Sequence, residues 1–162
     1  MRRDNERDQR RGTMAKKRKS AKAERYHPVD KVEVFIWDKF VGAVALDKSM
    51  GYYVFVYDKD FGRSGIELSP LHMPTDASEK PYFFTDLPED TYRRLPAMLA
   101  DALPDEFGNA LIDKYMAEKG LPKSRITPLD RLAYMGKRAM GALEFKPTRG
   151  PKTTIPTALK IG

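Results

Sequence analysis

The 162-residue sequence contains no cysteine, two histidines and a single tryptophan. Without cysteine there is no disulfide, no thiolate nucleophile and no cysteine-based zinc or iron–sulfur site. That absence agrees with a reducing, cytoplasmic setting. No apolar run approaches the roughly 18 residues that mark a membrane helix. The N-terminus is charged from Arg2 onward and lacks the apolar segment of a secretory signal. His27 precedes a proline and His72 lies close to one, both in expected loops. The carboxylate pairs Asp58/Asp60 and Asp101/Asp105 fall at expected turns or helix starts, where acids cap helices and complement their dipoles. No catalytic residue, metal ligand or cofactor is assigned on this basis, and the chain is not expected to be an enzyme.

What is present is distributed unevenly. The formal net charge is +7, and residues 1–25 hold 11 Lys/Arg against 4 Asp/Glu, so the tail carries the whole excess. Residues 26–162 are balanced, with 19 of each sign. The body is therefore not a basic nucleic-acid-binding domain on charge grounds. Residues 1–27 have almost no large apolar side chains and are expected to be a disordered basic tail. Within it, Lys16, Lys17, Arg18 and Lys19 form a run that suits contact with nucleic acid or simple solvation. Met14 offers a second start. Residues 28–147 read as one domain and 148–162, rich in proline and glycine, as a linker or truncated C-terminus.

The body opens with strand signals. "KVEVFIW" (31–37) alternates Val32, Val34 and Ile36 with Glu33, Phe35 and Trp37. "FVGAVAL" (40–46) follows after a two-residue link, Asp38-Lys39, which predicts a hairpin. "GYYVFVY" (51–57) is a third strand, "GIELS" (65–69) a fourth, and "KPYFFTDL" (80–87) a weaker one limited by its prolines. Helices come next. Pro96 is placed at the first position of "PAMLADAL", and a second helix starts at Pro104 with Asp105 and Glu106 at its positive end. Phe107, Leu111 and Tyr115 recur at i, i+4, i+8 and are predicted to be its buried stripe, with Gly120 as its stop. Thr127, Pro128 and Asp130 supply the N-cap, the first residue and an acid for a third helix. Leu129, Leu132 and Ala133 are expected to face inward there, and Gly136 to end it before a last strand, "GALEF". The expected class is α+β, a small antiparallel meander or partly closed barrel packed with about three short helices.

Two motifs invite an enzymatic reading and fail it. In "YMGKRAMGALEF", Gly136 and Gly141 have the spacing of a phosphate-binding loop, but Ala142-Leu143 stand where that motif needs Lys-Ser/Thr. The expected order is also helix before strand, so no helix N-terminus gathers N–H groups there. The triplet Asp60-Phe61-Gly62 resembles the magnesium-binding triplet of protein kinases, without the other kinase segments upstream. It is read as a polar turn. Trp37, next to a turn, is read as a half-exposed ring that either packs in the core or anchors a partner.

The segments "LADALPDEFGNALIDKYMAEKG" and "ITPLDRLAYMGKRAMGALEFKP" resemble the N-terminal subdomain of HipA-type toxin kinases, and the likeness extends over residues 31–147. The resemblance implies a family of Ser/Thr protein kinases that pair with a small HipB-like DNA-binding antitoxin. Their ATP-binding and catalytic motifs lie downstream of the matched region, so no catalytic residue carries over to this chain. It also implies that some systems encode the subdomain as a separate protein acting on a shorter kinase. Three expectations follow. The chain is a non-catalytic module that binds and modulates a HipA-like kinase core; or it is the first part of a truncated kinase; or it binds nucleic acid through its tail. Trp37, Phe61 and Arg138 are the nominated contact residues for a protein partner.

Overall fold

A computed structural model describes residues 24–87, 94–138 and 141–148. Among them five antiparallel strands form one open sheet: β1 (Lys31–Ile36), β2 (Lys39–Asp47), β3 (Tyr52–Tyr57), β4 (Pro81–Tyr82) and β5 (Leu143–Pro147). Their spatial order is β4-β3-β2-β1-β5, so the final strand returns to lie beside the first. Among the described residues four α-helices accompany the sheet: α1 (Lys59–Gly62), α2 (Ala97–Ala100), α3 (Glu106–Glu118) and α4 (Pro128–Met135). The class is α+β, and the sheet is a meander that stays open rather than closing into a barrel.

The first hairpin turns one residue earlier than its composition suggests. Ile36 pairs with Lys39, leaving Trp37 and Asp38 as the two turn residues. Both have positive φ, 48° and 62°. That geometry matches strand twist in a two-residue hairpin, and Asp tolerates it. A bulge then follows. Val34 pairs with Gly42 and Phe35 with Phe40, so Val41 is the extra residue on β2. The bulge turns both Val41 and Gly42 inward. Gly42 has no room for a side chain, since a Cβ would come within 2.2 Å of the Val56 carbonyl oxygen.

The main core fills the sheet face beneath α2 and α4. Val32, Val34 and Phe55 of the strands meet Leu99 of α2 and Leu129 and Leu132 of α4. Tyr57 sits at its centre, edge-on to Phe55 and Tyr82, with its hydroxyl donating to the Met73 carbonyl at 2.8 Å. Burial pushes the phenol pKa values of Tyr53 and Tyr57 up to about 12.

Several sequence expectations are corrected. "GIELS" forms no strand beyond an isolated bridge between Ser69 and Met73. Gly65 takes φ +74°, and Thr75 bonds the Ile66 carbonyl, so local loop contacts satisfy this segment. The weak fifth candidate shrinks to Pro81–Tyr82, paired with β3. Pro96 is the N-cap of α2, with extended ψ, rather than its first helical residue. The second long helix begins at Glu106, with Asp105 as a capping side chain that accepts from Gly108 N–H at 2.8 Å. The last strand begins at Leu143, not Gly141. Gly120 does end α3: Leu121 N–H bonds the Met116 carbonyl and Gly120 N–H that of Ala117, a Schellman closure. Gly136, at φ +52°, ends α4 as expected.

The Asp-Phe-Gly triplet is a one-turn helix, α1, and not a polar turn. Asp58 caps it, accepting from the N–H groups of Asp60 and Phe61. The glycine is required by packing, because a Cβ on Gly62 would lie 2.5 Å from the Asp76–Ala77 backbone.

Candidate partner-docking surface

Helix α3 stands outside the main core. Its own buried residues, Ile112 and Met116, join Leu121 in a small separate cluster. Tyr26, Ile126, Tyr134 and Met135 pack against it, and two consecutive residues of α4 add a polar network: Arg131 bonds α3 directly, and Asp130 holds the strap that lies against its end.

Asp130 is fully buried and accepts four hydrogen bonds. One carboxylate oxygen receives the Tyr26 hydroxyl at 3.0 Å and Val29 N–H at 2.9 Å. The other receives Thr127 N–H at 2.8 Å and the Thr127 hydroxyl at 2.9 Å. A capping acid thus also holds the strap that precedes β1. Tyr26, which composition assigns to the tail, additionally donates its own N–H to the Lys119 carbonyl at the end of α3.

Arg131, also buried, faces the other way. One guanidinium nitrogen, Nη1, bonds Asn109 at 2.9 Å and the other, Nη2, bonds Asp113 at 2.8 Å. Lys123 reaches the second oxygen of Asp113 at 3.1 Å. Burial raises the pKa of Asp113, but the hydrogen bonds and charges of Arg131 and Lys123 outweigh it and hold the carboxyl below its ordinary value.

This pairing decides which face of α3 looks inward. Asn109, Ile112, Asp113 and Met116 fall at i, i+3, i+4, i+7, and that mixed face meets α4. The apolar stripe expected to be buried lies outside: Phe107 is 72% exposed, Leu111 51% and Tyr115 39%. The signal that would have found this is the pair Asn109/Asp113, one turn apart and matched to a guanidinium fork.

The stripe leads into a groove of about 510 Å³. Tyr115 belongs to both, and its ring packs 5.0 Å from that of Tyr134 in α4. Tyr26, Met135 and Pro147 add apolar lining, and the charged liners are Lys137 and Arg138. Lys137 is 3.4 Å from Glu144, whereas Arg138 is exposed and makes no ion pair among the described residues.

The three nominated contact residues therefore stand in three different settings. Arg138 lines the groove. Trp37 is 67% exposed at the tip of the first hairpin and is not among the groove residues. Phe61 is 3% exposed, its ring parallel to that of Tyr57 at 6.1 Å, so it is a core side chain with no face for a partner. Lys16, Lys17, Arg18 and Lys19 lie outside the described residues. Among the described residues no group of three metal-ligating side chains occurs, and no helix is long and apolar enough to cross a membrane.

A family model described as the HipA N-terminal domain matches residues 32–146, from the second residue of β1 to the penultimate residue of β5. The chain belongs to the HipA N-terminal domain family. A comparison with curated proteins finds no match. The matched stretch includes the whole Asp130–Arg131 arrangement except its partners in the 26–29 strap. The kinase-like triplet at 60–62 falls inside this domain as a structural turn of helix.

Proposed function

We propose that this HipA N-terminal domain acts as a non-catalytic interaction module, binding and modulating a HipA-like Ser/Thr kinase core within a toxin–antitoxin system. The observation that carries the reading is the stripe Phe107, Leu111 and Tyr115. It leaves three large apolar side chains in water on a domain that closes its main core without them. Contiguous exposed apolar surface of this kind marks interaction sites. A HipB-like DNA-binding antitoxin is a further partner in the same reading. Co-expression tests it: the full chain is produced with a HipA-like kinase core, and growth arrest and co-purification are measured. Co-purification with altered arrest is expected. A core that neither co-purifies nor changes its toxicity sinks the proposal.

A second reading rests on charge asymmetry. Residues 1–25 carry the whole net charge of +7, so the tail suits a polyanion such as nucleic acid. It predicts binding that falls steeply with salt and vanishes on deletion of those residues; binding that survives the deletion refutes it.

A further inference from the structure

The stripe and the groove form one continuous surface through Tyr115, and its chemistry narrows what can cover it. The stripe alone is too small for a stable partner. Three side chains, already partly covered, fall well short of the roughly 800 Å² per side of a standard interface. An occupant must therefore continue past Tyr115 into the groove. There it meets Lys137 and Arg138 and no carboxylate among the lining residues. Beside the stripe the charges are mixed: Lys114 and Glu118 are both exposed one turn apart, and the Lys119 ammonium lies 5.9 Å from the Tyr115 ring centre, so among the described residues the uncompensated cation of the surface is Arg138 at the groove. A second copy seated groove to groove would set Arg138 against Arg138, at a repulsive cost.

We infer that the stripe and groove together seat an apolar segment that carries carboxylates, contributed by the kinase core. The inference rests on the proposed function and names the chemistry of the docking segment. Its apolar side chains cover Phe107, Leu111 and Tyr115, and a carboxylate pairs with the Arg138 guanidinium at the groove. Arg forms such pairs in bidentate geometry, so Arg138 also fixes the register of the segment.

Two synthetic helical peptides test the surface directly. They share one leucine and phenylalanine face, and carry either glutamates or lysines on the flanks. Titrated into the full chain, the glutamate peptide binds and the lysine peptide does not. Leu111→Glu weakens the glutamate peptide by about ten-fold or more, and Arg138→Glu by about five-fold with a shallower salt dependence. Both positions are exposed, so both variants keep the thermal midpoint of the parent. Equal binding of the two peptides, or none of the glutamate peptide, overturns the inference. So does a concentration-dependent dimer of the chain that Leu111→Glu abolishes, since the occupant is then a second copy. Co-purification with the kinase core separates the two levels. If parent and variants all co-purify, the core docks elsewhere and only the inference fails. If the parent itself does not co-purify, the proposed function fails with it.

Discussion

Helices α3 and α4 share a small apolar contact and one buried arginine, yet they place their apolar residues in opposite ways. In α4, Leu129 and Leu132 face the main core, and the two charged residues between them are buried too. In α3, the three-residue apolar stripe faces solvent, while the buried side carries Asn109 and Asp113 beside Ile112 and Met116. Helix α4 is held by hydrophobic burial and a capping box. Helix α3 is held by a small cluster and a guanidinium fork. The difference teaches that a buried cation can select which of two candidate faces turns inward. It pulls polar residues toward itself and leaves the apolar stripe for another surface.

The largest test of this division is Asp130→Ala. It removes the acceptor of four hydrogen bonds and strands Val29 N–H and Thr127 N–H. Breaking a buried polar network in this way costs about 4 kcal/mol. Urea denaturation checks it. A loss below about 1 kcal/mol would mean that the site relaxes or admits water. Next is Leu132→Ala, which opens a cavity in the main core and costs about 3 kcal/mol by the same measurement.

Much of this was legible in the sequence. The alternating run at 31–37 became β1 because one of its faces is buried and the alternation reports it; the apolar runs at 40–46 and 51–57 became β2 and β3, whose burial does not alternate. The Thr127–Asp130 cap was readable because capping is local. The stops at Gly120 and Gly136 were readable for the same reason. Some failures are small and local, a hairpin turn one residue early and helix starts shifted at Pro96 and Glu106; the larger ones depend on partners further along the chain. Phe107, Leu111 and Tyr115 have the spacing of a buried stripe, and only the position of Arg131, 18 residues beyond Asp113, shows that the neighbouring face wins. "GIELS" has strand-like residues but lies in a loop tied by Thr75, nine residues away. Of the nominated contact residues, Phe61 was misplaced because the triplet was read as a polar turn. Its burial comes from stacking on Tyr57 of β3.

Arg131→Met sharpens the comparison between the helices. It keeps bulk in the interior but takes the donors away from Asn109 and Asp113, with Lys123 still on Asp113. A loss of about 2 kcal/mol is expected, concentrated in α3. Hydrogen exchange reads it: amides of α3 lose protection while those of β2 and β3 keep theirs. Uniform loss across both regions would show a single cooperative unit instead.

Acid and alkali should separate the same two regions. Asp113 is held below its ordinary pKa, so its contribution is present in full above about pH 4 and is lost as pH falls through the depressed folded value. Tyr53 and Tyr57 behave in the opposite sense. Their phenols are raised to about 12 by burial, so their contribution is full below about pH 10 and is lost as pH rises through the folded value. Protection of α3 amides should therefore fall first in acid. Alkali should instead lower the thermal midpoint of the whole sheet domain, together with the appearance of tyrosinate absorbance. A tyrosinate transition centred on the ordinary value for all tyrosines would contradict the burial of these two.

The smallest effect is the most discriminating. Leu111 is the centre of the stripe that periodicity would bury, and it is half exposed. Leu111→Ala should change stability by no more than about 0.5 kcal/mol, because water already covers much of the side chain and alanine is the better helix former. Set against Leu132→Ala, the ratio of the two costs measures which leucine belongs to the core. A cost at Leu111 near that at Leu132 would mean that α3 turns its apolar stripe inward in solution. Arg131 would then lose Asn109 and Asp113 as partners, and the docking surface would not exist. A negligible cost at Leu111, with a large one at Leu132, leaves the stripe free to serve a partner.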